Sequence, residues 1–334
     1  MAEKKEDVMT RINKKLEKAL SPGSGLQNLR DAVTNESYMS TGLVTLDSIL
    51  NGGWSFRRIN VVWGPWRTGK TPLALMALRE AQKLNAIILF VDAEMAVAGY
   101  MLNLLGVDHT AEGFYLQQPD NLEETFKMIM TFLREMRAEH PDRPIVVVWD
   151  SVGVQATESM EQSVEDNKEN FRMATETSVL SKYIKLLIPI VYKTNTCALF
   201  LNQARDVMNS PVHKLKQAGG NVLHHAGSNV IQMKPPEIVK APDGSTMTIL
   251  KPFTERIKVG SPYKSTKIRV SDAGVDDYPA ILEALVASGA IEKGGAWYNC
   301  PKLSKKWNGE YNFYEWVGED PKNYEAVKEL YLKI

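Results

Sequence analysis

The stretch that most constrains this sequence begins with Ile59-Asn60-Val61-Val62-Trp63 and ends with Ala74-Leu75-Met76-Ala77-Leu78. The first run predicts a buried strand and the second a helix. Between them lies Gly64-Pro65-Trp66-Arg67-Thr68-Gly69-Lys70-Thr71, the pattern G-x-x-x-x-G-K-[ST]. Phosphates need many donors close to the chain, and glycine lets backbone N–H groups approach without a Cβ in the way. In this strand–loop–helix setting the pattern predicts a nucleoside triphosphate site. Gly64, Pro65, Trp66, Arg67, Thr68 and Gly69 form the cradle, Lys70 reaches the β- and γ-phosphates, and the Thr71 hydroxyl ligates Mg²⁺. Pro72 fits the first helical turn, where its missing N–H would have bonded to nothing.

Further continuous apolar runs follow at Ala86–Val91, Ile145–Trp149 and Ala198–Leu201, with a predicted helix from Glu123 to Arg137 between them. Strands alternating with helices predict an α/β fold with a mostly parallel central sheet covered on both faces. After about residue 229 the character changes. Short β-type segments at Asn229–Met233, Thr246–Leu250, Glu255–Val259 and Lys267–Val270 predict antiparallel strands extending that sheet. Beyond them come a helix near Tyr278–Ser288, an aromatic Gly/Asn-rich stretch and a last helix over Asn323–Leu332. At the other end Val8, Ile12, Leu16 and Leu20 mark one face of an amphipathic helix, broken by Ser21-Pro22-Gly23-Ser24-Gly25. That helix either lies on its own domain or docks on a neighbouring subunit. The expected organisation is an N-terminal helix and linker over 1–35, an ATPase core over 36–270 and a small α+β domain over 271–334.

Composition excludes several classes. The 40 basic and 40 acidic residues cancel, so there is no overall pull toward nucleic acid and any such site must be a local cluster. No apolar run reaches the ~18 to 20 residues of a membrane span. The first residues, Met1-Ala2-Glu3-Lys4-Lys5-Glu6-Asp7, hold no apolar signal core. The two cysteines, Cys197 and Cys300, fit no metal-ligand spacing, and Cys197 reads as a small core residue. A cytoplasmic protein with no membrane partner is the expectation.

Three polar residues fall at strand ends. Asp150 closes Val146-Val147-Val148-Trp149, where a P-loop fold holds Mg²⁺ through water, although any acid after a strand also starts a loop. Glu94 follows Leu89-Phe90-Val91-Asp92, expected to be the strand beside the P-loop; it either activates the attacking water or is a solvated turn acid. Gln203, past Leu201, either senses the γ-phosphate or caps a loop.

These pieces stand in a recognisable order. Ser40-Thr41-Gly42 with Leu46-Asp47, the P-loop, Phe90-Val91-Asp92-Ala93-Glu94, Asp150-Ser151-Val152, Leu201-Asn202-Gln203-Ala204-Arg205 and Gly219-Gly220-Asn221 together resemble the RecA family of homologous-recombination ATPases. So does Ala290-Ile291-Glu292-Lys293-Gly294-Gly295-Ala296-Trp297-Tyr298, which resembles a stretch of the bacterial RecA carboxy-terminal domain. The resemblance covers roughly residues 8 to 334 and is that of a divergent, phage-type member.

The resemblance implies ATP and Mg²⁺ as cofactors, with Lys70, Thr71 and Asp150 on phosphate and metal, Glu94 as catalytic glutamate and Gln203 as the link from γ-phosphate to the DNA-binding loop. Tyr100 matches the tyrosine that stacks on adenine, and Lys258 one of a lysine pair reaching a neighbour's γ-phosphate. The segment around Lys258 is about five residues shorter than in the family, which leaves Lys264 or Lys267 as the second cation. DNA-contacting positions map to Ser181 and Lys185, and to the loop Ala204–Asn221 with Arg205, Lys214, Lys216, Gly219, Gly220 and Asn221. A family arginine is Ser178 here and an interface phenylalanine is His225. The implied function is an ATP-dependent recombinase that polymerises head to tail on single-stranded DNA and pairs it with homologous double-stranded DNA. The alternatives are a ring-forming helicase of the same fold and a DNA-coating filament with weak hydrolysis.

Overall fold

Strands form where the sequence offers uninterrupted β-branched and apolar side chains, because a strand buried on both faces has no polar face to alternate. In Ile145–Asp150, Ile145, Val147 and Trp149 enter one core cluster and Val146 and Val148 the other; all five are buried. The structure, a computed structural model, describes residues 8–19, 36–97, 99–165, 173–206, 215–241, 244–272 and 274–334. Among the described residues ten strands join one sheet. We number them β1 (Arg58–Gly64), β2 (Ile87–Asp92), β3 (Phe114–Gln117), β4 (Ile145–Asp150), β5 (Thr196–Asp206), β6 (Leu215–Gln217), β7 (Asn229–Lys240), β8 (Thr246–Ile257), β9 (Ile268–Ser271) and β10 (Gly274–Asp276). Their order is β10-β9-β8-β7-β1-β5-β4-β2-β3, with β6 paired to β5 off this path. The six strands from β7 to β3 are parallel; β8, β9, β10 and β6 pair antiparallel.

The chain divides after Tyr38 into two units. In the first, α1 (Val8–Ala19) spans the predicted helix, and Ile12 and Leu16 of its stripe are half-buried; Leu20 lies outside the described residues. In the second, α2 (Lys70–Lys83) covers one face of the sheet through Leu73, Leu75, Met76 and Leu78. On the other face, α3 (Leu122–Glu139) and α4 (Met173–Lys193) contribute Phe126, Ile129, Leu133, Leu180, Ile184 and Leu187. Phe126 meets Trp149 edge-on at 5.1 Å, and Trp149 meets Phe200 edge-on at 5.3 Å, a geometry aromatic quadrupoles favour. Cys197 is fully buried in the sheet, and burial pushes its thiol up, out of reach of thiolate chemistry.

A third core occupies the last part of the chain. It is built by α5 (Tyr278–Ala287), a sheet of β11 (Glu292–Gly294), β12 (Trp297–Cys300) and β13 (Lys305–Asn308), then α6 (Glu310–Glu319) and α7 (Pro321–Tyr331). The aromatic Gly/Asn-rich stretch thus resolves into a three-stranded meander and an unpredicted helix, with Trp307 edge-on to Phe313 at 5.1 Å. The buried carboxylate of Asp277, just ahead of α5, accepts from the Thr45 backbone N–H at 2.8 Å.

No helix of the described residues is long and apolar enough to cross a membrane.

Three sequence expectations change. The strand leading to Glu94, β2, is not beside the P-loop strand β1: β5 and β4 lie between them. Asn229–Met233 pairs antiparallel with β8 as expected, but on its other side it runs parallel to β1. Thr246–Leu250 and Glu255–Ile257 are one strand, β8, carried past Pro252 by register shifts at Ile249/Lys251 and Thr254/Arg256. A proline inside a strand reads as a break, but local bulges absorb the missing donor.

Candidate nucleotide site and candidate nucleic-acid groove

Strand order decides which side chains meet. Gly64 ends β1 opposite Gln203 of β5, and Asp150 ends β4 opposite Asp92 of β2. These are consecutive parallel strands in the sheet, and their carboxyl ends form the edge where open α/β sheets bind ligands. A cavity of about 270 Å³ opens there, lined by Trp66, Arg67, Thr68, Gly69, Lys70, Thr71, Pro72, Glu94, Asp150, Gln203 and Ala204.

The loop is tied to itself. The carbonyl of Pro65 accepts from Thr68 Oγ1 and Lys70 Nζ, each at 2.8 Å, and the Gly64 carbonyl from Lys70 Nζ at 3.1 Å. Gly69 sits at φ +87°, and a Cβ there would come within 2.3 Å of Leu250 Cδ1, so the position admits only glycine. Gly64 backs onto the Met233 carbonyl in the same way, at 2.7 Å from an added Cβ. Helix α2 then begins at Lys70 and aims its free N–H groups at the cavity, the arrangement that receives an anion. Burial holds the Lys70 ammonium below its usual range, against the pull of Asp150 and Glu94.

Thr71 Oγ1 donates to Asp150 Oδ2 at 2.7 Å. Burial pushes the Asp150 carboxyl up to about 6; the Thr71 hydrogen bond and Lys70 oppose that, and Glu94 and Asp92 reinforce it. One hydroxyl and one carboxylate suit Mg²⁺, which keeps several waters and shares its sphere with substrate phosphates. Among the described residues there is no group of three or more His, Cys, Asp or Glu that would form an all-protein metal cage. The donor set therefore fits the metal the sequence implies.

Glu94 is reached by a turn rather than by an adjacent strand. The carbonyl of Asp150 accepts from the Ala93 N–H at 2.7 Å, which folds the end of β2 toward β4. Glu94 Oε1 then accepts from Ser151 Oγ at 2.8 Å and from Gln203 Nε2 at 3.1 Å. The carboxylate stands in the cavity, exposed, with two donors fixing its orientation.

Two predicted residues are elsewhere. Tyr100, in the short helix Gly99–Leu104, is exposed and does not line this cavity. Lys258 lines a different cleft with Arg57, Arg58 and Lys193, at the end of β1 opposite to Gly64. Burial and the nearby Arg256 and Arg58 hold its ammonium below the usual range.

A larger groove, about 770 Å³, lies where α4 faces β5 and β6. Six of the eight predicted DNA-contacting residues line it: Ser181, Lys185, Arg205, Lys216, Gly219 and Gly220. Asn221 follows directly and is exposed; Lys214 lies outside the described residues. Gly219 and Gly220 both have positive φ, and a Cβ on Gly219 would meet Leu180 at 2.1 Å. Arg205 and Lys216 are directly opposite in the β5–β6 pair, a like-charge arrangement that favours an anion between them. Ser178 also lines the groove, as do Lys182, Thr177, Glu176 and Gln217, which sequence reasoning missed. For Lys182 the signal was present: 178, 181, 182 and 185 share one helical face. For Glu176 and Gln217 there was none. The Gln217 side-chain amide is buried with no hydrogen-bond partner at either end.

A family model described as the RecA N-terminal domain matches residues 7–275. Among curated proteins, Protein RecA of Bacteroides thetaiotaomicron is 28% identical over 289 residues, 85% of this chain and 84% of that protein. Protein RecA of Macrococcus caseolyticus is 28% identical over 302 residues, covering 90% and 82%. Protein RecA of Staphylococcus epidermidis is 25% identical over 330 residues, covering 98% and 91%.

Proposed function

The chain belongs to the RecA family, and from that premise we propose an ATP-dependent DNA recombinase that forms helical filaments on single-stranded DNA and promotes homologous pairing and strand exchange. The observation that carries the reading is one strand serving two sites. On β5, Gln203 donates to Glu94 in the phosphate cavity, and two residues on Arg205 lines the basic groove. Side chains two apart on a strand share a face, so a shift of β5 at one site moves the other.

Phosphoryl transfer needs positioning and charge stabilisation rather than covalent work by the protein. Lys70 and the first N–H groups of α2 hold the phosphates of ATP. Thr71 and Asp150 would hold Mg²⁺, which would supply positive charge beside the nucleotide phosphates. Glu94, aligned by Ser151 and Gln203, accepts a proton from the attacking water. Loss of the γ-phosphate frees Gln203 and, through β5, Arg205 in the groove it lines. Lys185, Arg205 and Lys216, with Lys214, contact DNA phosphates, and Gly219-Gly220-Asn221 lets the backbone approach.

Lys258 is remote from its own P-loop, which supports its service to a neighbouring subunit's nucleotide in a head-to-tail assembly. In that assembly 1–35 would be the oligomerisation helix and linker, 36–270 the ATPase core and 271–334 the small terminal domain. Tyr100 would contact adenine at the same interface. The protein would act in the cytoplasm on single-stranded and homologous double-stranded DNA.

The test is phosphate release with and without single-stranded DNA, and electron microscopy with an ATP analogue and DNA. DNA-stimulated hydrolysis and continuous helices are expected. Closed rings would favour a helicase, and an absence of stimulated turnover would leave only a DNA-coating filament.

A further inference from the structure

The groove contains its own competitor for DNA. Glu176, in the first turn of α4, is the one acid among the described residues lining it, and its side chain is 8% exposed. Its Oε2 accepts from Arg205 Nη1 at 3.2 Å, and Arg205 Nη2 donates to the Gly153 carbonyl at 3.4 Å. Arg205 therefore ties together α4, β5 and the turn that follows Asp150-Ser151.

The position of the pair gives it meaning. Arg205 stands opposite Lys216 across the β5–β6 ladder, and two like charges there repel unless an anion lies near. In the free protein Glu176 supplies that anion. A nucleic-acid phosphate offers Arg205 the same chemistry, a pair of anionic oxygens for a guanidinium fork. The two compete for one cation.

We propose that Glu176 is an affinity-setting residue of the groove: its carboxylate holds Arg205 in the DNA-free state, and a DNA phosphate must displace it. This rests on the reading of the groove as the single-strand site. It also makes binding exchange one ion pair for another, so that Arg205 adds less to affinity than its charge alone would give.

Glu176→Gln keeps an acceptor for Arg205 and removes only the charge. Binding of a fluorescein-labelled oligo-dT by the full-length protein is measured across a salt series for wild type, Glu176→Gln, Arg205→Ala and the double variant. Glu176→Gln is expected to bind roughly 3- to 10-fold more tightly. Its dependence of log affinity on log salt should steepen by about 0.7, the value of one more single-strand phosphate contact. With Arg205→Ala already in place, the steepening should vanish. A merely structural glutamate would move stability but not the salt slope.

Unchanged or weaker binding by a folded Glu176→Gln protein overturns the proposal, since it would make Glu176 an orienting partner of Arg205 rather than a competitor. Should that variant not fold, Glu176→Ala carries the same test, because it also removes the carboxylate from under Arg205. If wild type binds oligo-dT and Lys185→Ala weakens it while Glu176→Gln changes nothing, the competition by Glu176 alone fails. If wild type does not bind at all, the groove assignment fails and takes the role of Glu176 with it.

Discussion

Replacing Glu94 by glutamine separates chemistry from binding at the P-loop. The glutamine side-chain oxygen can still accept from Ser151 Oγ and Gln203 Nε2, so the hydrogen bonds now at 2.8 and 3.1 Å survive. What disappears is one negative charge and the capacity to take a proton. The effect on the ground state is small. Asp150, at about 6, is already about nine-tenths ionised at pH 7. Glu94 is among the groups that raise it, so the substitution moves Asp150 down and toward full ionisation. That change can strengthen metal binding by no more than about one tenth. Loss of a positioned general base, in contrast, costs roughly 10²- to 10⁴-fold in turnover, or about 2.7 to 5.5 kcal/mol in the barrier. Steady-state phosphate release in the presence of single-stranded DNA measures the turnover, and equilibrium binding of a fluorescent ATP analogue measures the ground state. Expected are a turnover lower by at least about 100-fold and a Kd within about twofold of wild type. A turnover within about threefold of wild type, or a Kd that rises as far as turnover falls, would refute the assignment of Glu94 as the base.

Other substitutions test the groove and the last core. Lys185→Ala should weaken single-stranded DNA binding similarly on all homopolymers and flatten the salt slope by about 0.7; a loss confined to one base composition would mean that Lys185 reads bases instead of phosphate. Ser178→Arg adds a cation to the same helical face and should tighten binding and steepen the slope by a similar amount, measured in the same titration. Burial pushes Asp277 from 3.8 up to about 6. An acid raised on folding gives stability that is fully present below about pH 4 and is lost as pH rises through its folded value. Chemical denaturation at pH 4 and pH 7 should therefore show wild type losing on the order of 2 to 3 kcal/mol relative to Asp277→Asn. Parallel curves for the two proteins would show that Asp277 does not carry the buried charge.

By itself the sequence determined whatever depends on near neighbours. The P-loop was legible because its glycines, lysine and threonine fall within eight consecutive residues, between a strand and a helix that their own apolar runs specify. The buried strands around Val61, Leu89, Val147 and Leu199 were legible for the same reason, since burial on both faces leaves no polar alternation. The groove residues 181, 185, 205, 216, 219 and 220 were found through resemblance, and Lys182 was within reach of helical periodicity alone.

Only the tertiary structure decided which strand ends meet. Glu94 and Gln203 are 109 residues apart, and Thr71 and Asp150 are 79 apart. Nothing local in either segment encodes that β5 and β4 separate β1 from β2, because strand order is settled by crossovers and by the packing of α2 on one face of the sheet and of α3 and α4 on the other. The Arg205–Glu176 pair and the Asp277–Thr45 contact, 232 residues apart, are products of the same packing. A charged side chain in the sequence carries its chemistry but not its partner; the fold gives Glu94 its Ser151 and Gln203 donors, Glu176 its Arg205 and Asp277 its Thr45.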